Sequence, residues 1–212
     1  MSTALIDAPS TTPTDSALPG LESAPGSIES LTMPAVLPEN VSRIVLTGFM
    51  GAGKTTVGRQ LAAELCWEFL DLDTLIEQRT GLTVPQIFSD KGEAAFRRLE
   101  SVALAVALGR KKIVLALGGG TPERLTNRLL LEQTPGTLTV YLHAPLEVLT
   151  ARCLAQKGGA ERPVLANKTE LAQRFADRMP HYKRLAAITI DTTSTSMKDT
   201  AVLLHQSVKS LQ

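Results

Sequence analysis

The chain has 212 residues, 43% of them hydrophobic and eight of them aromatic, which suffices for one domain with a full core and is marginal for two. A formal net charge of +1 argues for neither a nucleic-acid binder nor a polyacidic tail protein. That average conceals a division: residues 1–42 carry five acids and no Lys or Arg, −5 in all, while residues 43–212 hold all 22 basic residues against 16 acids, a charge of +6.

The first 42 residues contain six of the twelve prolines, in runs such as PSTTPTDSALPG, and none of the aromatics. Such a segment cannot bury enough apolar surface to offset its ordering entropy, so residues 1–42 are expected to form a disordered acidic extension. They lack the basic start and apolar stretch of a secretory signal, and the Arg-rich, acid-poor character of an organellar transit peptide. The longest apolar run of the remainder, Val102–Leu108, is too short to cross a bilayer. Cys66 and Cys153 lack CxxC spacing and read as thiols of a reducing compartment, so a soluble cytoplasmic protein is expected.

From residue 43 onward, strand and helix patterns alternate. Arg43–Thr47 (RIVLT) reads as a buried strand, followed by a Gly-rich turn and a helix over Thr55–Leu65. Trp67–Leu72 reads as the second strand, and Val84–Leu108 as a helix with Phe96, Leu99, Ala103 and Val106 on one stripe. Lys112–Leu117 is the third strand and ends in three glycines. Thr137–His143 and Ala187–Asp191 are the fourth and fifth, each followed by a helical pattern, over Leu146–Gln156 and Ser196–Leu211. Strands separated by helix-length segments imply parallel βαβ units: an α/β fold with a five-stranded parallel sheet, helices on both faces, and ligands at the carboxyl ends of the strands.

Residues Gly48–Thr55 (GFMGAGKT) complete the pattern GxxxxGK[ST] between a strand and a helix. Its glycines let successive amide N–H groups converge on phosphate oxygens, and the helix start adds a partial positive charge. Lys54 supplies a point charge for the β- and γ-phosphates and Thr55 a hydroxyl for Mg²⁺, with Gly51, Ala52, Gly53 and Thr56 completing the cradle. The expected ligand is ATP or GTP with Mg²⁺. No NKxD-type guanine motif is present, which argues against the GTPases. The third strand ends in Gly118-Gly119-Gly120 rather than a Walker B acid, and the acids instead follow the second strand as Asp71-Leu72-Asp73. Alternate residues of an extended segment point the same way, so both carboxylates are expected to face the crevice. One can hold a Mg²⁺-bound water, while the other accepts a hydroxyl proton or orients the attacking oxygen. Arg97 lies beside the apolar stripe with Glu100 at i+3, a spacing that allows an ion pair. By spacing alone it reads equally as a solvated helix arginine like Arg98.

Together GFMGAGKTT (48–56), FLDLD (69–73), FRRLE (96–100), LGGG (117–120), ERPVL (161–165) and RMPHY (178–182) resemble the shikimate kinase family, in order across residues 43–192. The phosphate loop is generic; the other five motifs in combination are specific. The resemblance implies a nucleoside-monophosphate-kinase-like P-loop fold with a lid over residues 43–212. It also implies a reaction, transfer of the ATP γ-phosphate to the 3-hydroxyl of shikimate in aromatic amino-acid and chorismate synthesis. By the same resemblance Asp73 holds the substrate hydroxyls and is the base, and Asp71 is the acid near Mg²⁺. Arg97 and Arg178 bind the shikimate carboxylate, with Gly119 and Gly120 lining the pocket. Arg162 corresponds to the lid arginine that reaches the transferring phosphate, and Arg152 to the arginine that stacks on adenine. Lys157–Glu161 (KGGAE) suits the mobile lid, and the stretch from Arg152 to Arg162 is a few residues longer than the family pattern. The remaining alternatives are another small-molecule P-loop kinase such as a gluconate kinase, and a sensor that binds without turnover. The paired arginines argue against the first, and intact Lys54, Asp73 and Arg162 against the second. A monomer without nucleic-acid or membrane partners is expected.

Overall fold

Arg43–Thr47 (β1) runs through the middle of a five-stranded sheet whose spatial order is β2-β3-β1-β4-β5, with every neighbouring pair parallel. The other strands are Glu68–Asp71 (β2), Ile113–Ala116 (β3), Thr137–His143 (β4) and Ile188–Asp191 (β5). The computed structural model describes residues 40–155 and 167–209. The expected extension, apart from residues 40–42, and the lid segment Lys157–Glu161 with Arg162 lie outside the described residues.

Period-two alternation assigns each strand residue to one face. Ile44, Leu46, Val114, Leu138, Val140 and Leu142 pack on one side, against Val57 and Leu61 of the helix Lys54–Leu65 (α1) and Ala201 and Leu204 of the helix Met197–Lys209 (α7). Val45, Ile113 and Leu115 point the other way, onto the helices Leu72–Thr80 (α2), Val84–Leu108 (α3) and Leu125–Gln133 (α4). Both faces of the sheet are therefore dry, as a parallel sheet requires. Gly58 lets α1 settle closely: a Cβ there would sit 2.5 Å from the Phe69 ring. Leu146–Ala155 (α5) follows β4, and Lys168–Leu185 (α6) precedes β5.

Departures from the sequence expectation have local causes. The second strand ends at Asp71 rather than Leu72, because the Asp71 side chain accepts from the amides of Asp73 (3.1 Å) and Thr74 (3.5 Å) and starts α2. Asp73 thus stands in the first turn of a helix, not in an extended segment. Helix α3 spans the expected residues and opens with a capping box between Thr83 and Gln86, yet it is broken at Gly92 (φ +76°, ψ 169°). Its buried line is Phe96, Glu100, Ala103 and Ala107, whereas Val106 is 48% exposed. Steps of three and four residues alternate around a helix of 3.6 residues per turn, and one of those inner positions carries a carboxylate. Helices α2, α4 and α6 have no counterpart in the sequence pattern described above. Among the described residues, no helix is long and apolar enough to cross a membrane.

Strand β1 connects outward through α1 on one face to β2, and β3 connects through α4 on the opposite face to β4. The connections leaving β1 and β3 thus run in opposite directions across the sheet, and a crevice opens above the carboxyl ends of these two strands.

Candidate active site

The loop that leaves β1 turns through two left-handed glycines, Gly51 (φ +78°) and Gly53 (φ +87°). A side chain at Gly51 would be strained, and its Cβ would fall 2.4 Å from the Leu149 carbonyl oxygen. Gly53 is the N-cap of α1 and offers no side-chain cap, so the helix opens with unsatisfied amides facing the crevice. Ala52 packs inward, at 1% exposure. Lys54 folds back over the loop, its Nζ donating to the carbonyls of Gly48 (2.9 Å) and Phe49 (3.1 Å). Burial lowers the Lys54 ammonium to a pKa of about 8, against the pull of Asp73 and Asp71.

Across the crevice, the Thr55 hydroxyl donates to Asp71 Oδ2 at 3.0 Å. Asp71 therefore spends one oxygen on the phosphate-loop helix and the other on the amide of Asp73. Asp73 is raised to a pKa of about 6, first by burial and then by the like charges of Asp71 and Glu100, with Lys54 opposing. Its Oδ1 is buried with no hydrogen-bond partner among the described residues. That atom looks onto Gly118, where a Cβ would come within 3.1 Å of it and 2.9 Å of Glu100 Oε1.

The two candidate anion-binding arginines approach from α3 and α6. Arg97 Nη1 donates to Glu100 Oε2 at 3.0 Å, and its Nε and Nη2 donate to the exposed Glu93. Glu100 is itself fully buried and accepts from the Thr121 hydroxyl at 2.6 Å. A buried carboxylate with partners for both oxygens is an anchor for a cation, and it holds Arg97 beside Gly120. Arg178 pairs through Nε with Glu123 and lies 5.9 Å from the centre of the Phe49 ring. Tyr182, one turn on, donates to the Gly119 carbonyl at 2.6 Å and ties α6 to the glycine turn.

A cavity of about 350 Å³ brings most of these groups together. Gly51, Gly53, Lys54, Thr55 and Thr56 form its phosphate-loop side, and Asp71, Asp73, Gly119 and Arg178 the other. Arg97 and Gly120 are not among its lining residues; in this state the Arg97 guanidinium is turned onto Glu93 and Glu100. A neighbouring cavity of about 430 Å³ shares Gly51, Gly53 and Thr56 and adds Arg152, Thr195 and Ser196. Arg152 is held by the Thr192 hydroxyl (3.0 Å) and carbonyl oxygen. The two hollows share the phosphate-loop residues Gly51, Gly53 and Thr56 as a common border. Glu93, Thr121 and Glu123 belong to no motif of the sequence, whereas Thr192 falls in Asp191–Ser196 (DTTSTS), the segment after the last strand expected to form the adenine-side loop. Tyr182 stands within RMPHY, where an aromatic on the inner side of a polar helix is the one cue to its place at the glycine turn.

The shikimate kinase family model matches residues 50–209. The chain is 40% identical over 178 residues to a shikimate kinase of Acinetobacter baumannii (strain AYE), covering 84% of this chain and 98% of that one. It is 42% identical over 163 residues to one from Bordetella pertussis, covering 76% and 74%. Among solved structures, shikimate kinase from Acinetobacter baumannii in complex with shikimate superposes with a TM-score of 0.74 at 39% identity, over 81% of this chain and 95% of that one. The enzyme from Aquifex aeolicus gives a TM-score of 0.68 at 33% identity, over 80% and 98%. With the family model spanning most of the sequence and relatives about 40% identical over three quarters or more of this chain, the chain belongs to the shikimate kinase family, ATP-dependent phosphotransferases of the shikimate pathway and aromatic amino-acid biosynthesis.

Proposed function

We propose that this chain transfers the γ-phosphate of ATP to the 3-hydroxyl of shikimate, giving shikimate 3-phosphate and ADP, with the residues around the 350 Å³ cavity as its machinery. The observation that carries the reading is one cavity lined by Lys54, Asp73 and Arg178: a cation for phosphate, a raised carboxylate, and a cation for a second anion. The amides from Gly51 to Thr56 and the Lys54 ammonium bind the β- and γ-phosphates. Arg152 borders the adenine end.

Thr55 and Asp71 fit a magnesium ion: a hydroxyl and a carboxylate oxygen lie side by side, and Mg²⁺ asks for only one or two protein ligands beside phosphates and waters. A magnesium ion held there would neutralise phosphate charge during transfer.

Shikimate offers a carboxylate and several hydroxyls. Arg178 and Arg97 take the carboxylate, Arg97 by exchanging the exposed Glu93 for it, since Glu93 is 65% exposed and easily displaced. Gly119 and Gly120 leave room for the ring. Asp73 accepts the proton of the 3-hydroxyl as that oxygen bonds to the γ-phosphorus and the bond to ADP breaks. With a pKa near 6 it is charged at neutral pH and still more basic than an ordinary carboxylate. Family resemblance assigns Arg162 to the transferring phosphate. The reading suits the cytoplasm, where ATP is at hand. The +6 excess of residues 43–212 is then accounted for by two small anionic ligands rather than by nucleic acid.

The test is Asp73→Asn. Turnover falls by about 100-fold or more while MgATP affinity stays within about threefold. Near-normal turnover in that variant would falsify the assignment of the base.

A further inference from the structure

The turn between β3 and α4 reaches both arginines assigned to the substrate carboxylate. After Gly120 the chain makes a 3-10 turn, Thr121–Glu123. The Thr121 hydroxyl donates to Glu100 Oε1 at 2.6 Å, and the other oxygen of Glu100 accepts from Arg97 at 3.0 Å. Two residues later, the Glu123 carboxylate accepts from Arg178 Nε. Two residues of one three-residue turn, Thr121 and Glu123, therefore govern two guanidinium groups that come from different helices.

The turn is itself held. Glu123 N donates to the Gly120 carbonyl at 3.0 Å, and Asn127 Nδ2 to the Thr121 carbonyl at 2.9 Å. Arg128 Nη1 donates to the carbonyls of Pro122 (2.7 Å) and Glu123 (2.8 Å). Thr121 and Asn127 are buried. A backbone fixed at this many points presents the Glu123 side chain from a defined origin.

We infer that Glu123 is a positioning residue for the substrate site. It engages Arg178 by the inner nitrogen, Nε, so that the outer nitrogens, beside the Tyr182 hydroxyl, can turn to a carboxylate. Nη1 lies against the glycine turn, where a Cβ on Gly119 would be 3.4 Å away. Arg178 is 11% exposed along its side chain and lines the cavity, while Glu123 is 38% exposed and does not line it. A long side chain restrained before binding loses less freedom when the ligand arrives, and a bidentate pair tolerates little misalignment. Glu123 makes its direct contact with Arg178 and reaches Arg97 only through its charge, and the inference rests on the assignment of Arg178 to the substrate carboxylate.

The experiment is steady-state kinetics of the full chain, with Tm, for Glu123→Ala, Glu123→Gln, Arg178→Ala and the double variant Glu123→Ala/Arg178→Ala. Glu123→Ala raises the shikimate KM about 5- to 10-fold and leaves the ATP KM within about twofold. Glu123→Gln, whose amide oxygen still accepts from Nε, recovers most of the loss. In the Arg178→Ala background, removing Glu123 adds nothing further. An unchanged shikimate KM in Glu123→Ala, beside a raised one in Arg178→Ala, overturns the inference and leaves the arginine assignment standing. A lower shikimate KM would mean that Glu123 competes with the substrate, and overturns it as well. Equal rises in both KM values with a lower Tm would mark the turn as merely structural and likewise overturn it. An unchanged shikimate KM in Arg178→Ala itself removes the assignment on which the inference stands.

Discussion

Thr55 Oγ1 and Asp71 Oδ2 meet at 3.0 Å, joining the first turn of α1 to the last residue of β2. Since the other oxygen of Asp71 caps α2 at the amide of Asp73, one carboxylate registers the phosphate loop against the candidate base. Its position is set by backbone and hydroxyl donors before any ligand arrives.

Asp71→Asn separates the two duties. Asparagine caps a helix as well as aspartate does, so the fold is retained within about 0.5 kcal/mol. The lost charge weakens the cation site, and the Mg²⁺ concentration for half-maximal rate rises on the order of 10-fold. Titration of the rate with Mg²⁺ at fixed ATP checks this; an unchanged Mg²⁺ dependence would remove Asp71 from the site.

The shifted groups define a pH profile. Asp73 must be ionised to accept a proton and is held up at about 6, so kcat/KM declines as pH falls below that value. Lys54 must be protonated to serve phosphate and is held down at about 8, so kcat/KM declines again above it. The expected result is a bell. In Asp71→Asn one repelling charge beside Asp73 is gone, and the acid limb moves to lower pH. A profile flat from about pH 5 to about pH 9 would contradict both roles.

Gly120→Ala probes the seat of Arg97. The backbone of Gly120 (φ −95°) accepts alanine, but the added Cβ would lie 2.5 Å from Arg97 Nη2. A flexible side-chain tip can swing away, so the cost falls on recognition rather than folding. The shikimate KM rises about 10-fold or more, with ATP KM and Tm little changed. Loss of ATP binding in this variant would show that the two subsites are not separable as described.

Legibility in the sequence depends on where each signal resides. The phosphate loop is fully local: glycines, Lys54 and Thr55 in one run between a strand and a helix. Strands β1 and β4 match their expected bounds residue for residue. Asp73 stands out by its residue type, but its backbone differs from expectation, because the capping of α2 by Asp71 outweighs the strand pattern around it. The apolar line of α3 suggests Val106 inside, whereas the structure leaves Val106 48% exposed and buries Glu100 on the inner line. A hydrophobic pattern cannot register that a buried carboxylate is satisfied by Thr121, 21 residues away, as well as by its helix neighbour Arg97. Glu123 is invisible for the same reason: its partner Arg178 is 55 residues away in sequence.

The decisive measurement is steady-state ADP release by the purified chain with ATP, Mg²⁺ and shikimate, paired with ³¹P NMR of the product. The expected result is ADP release that depends on shikimate, with one phosphate appearing on its 3-hydroxyl. Folded protein that binds ATP yet releases no ADP in response to shikimate would contradict the proposed function.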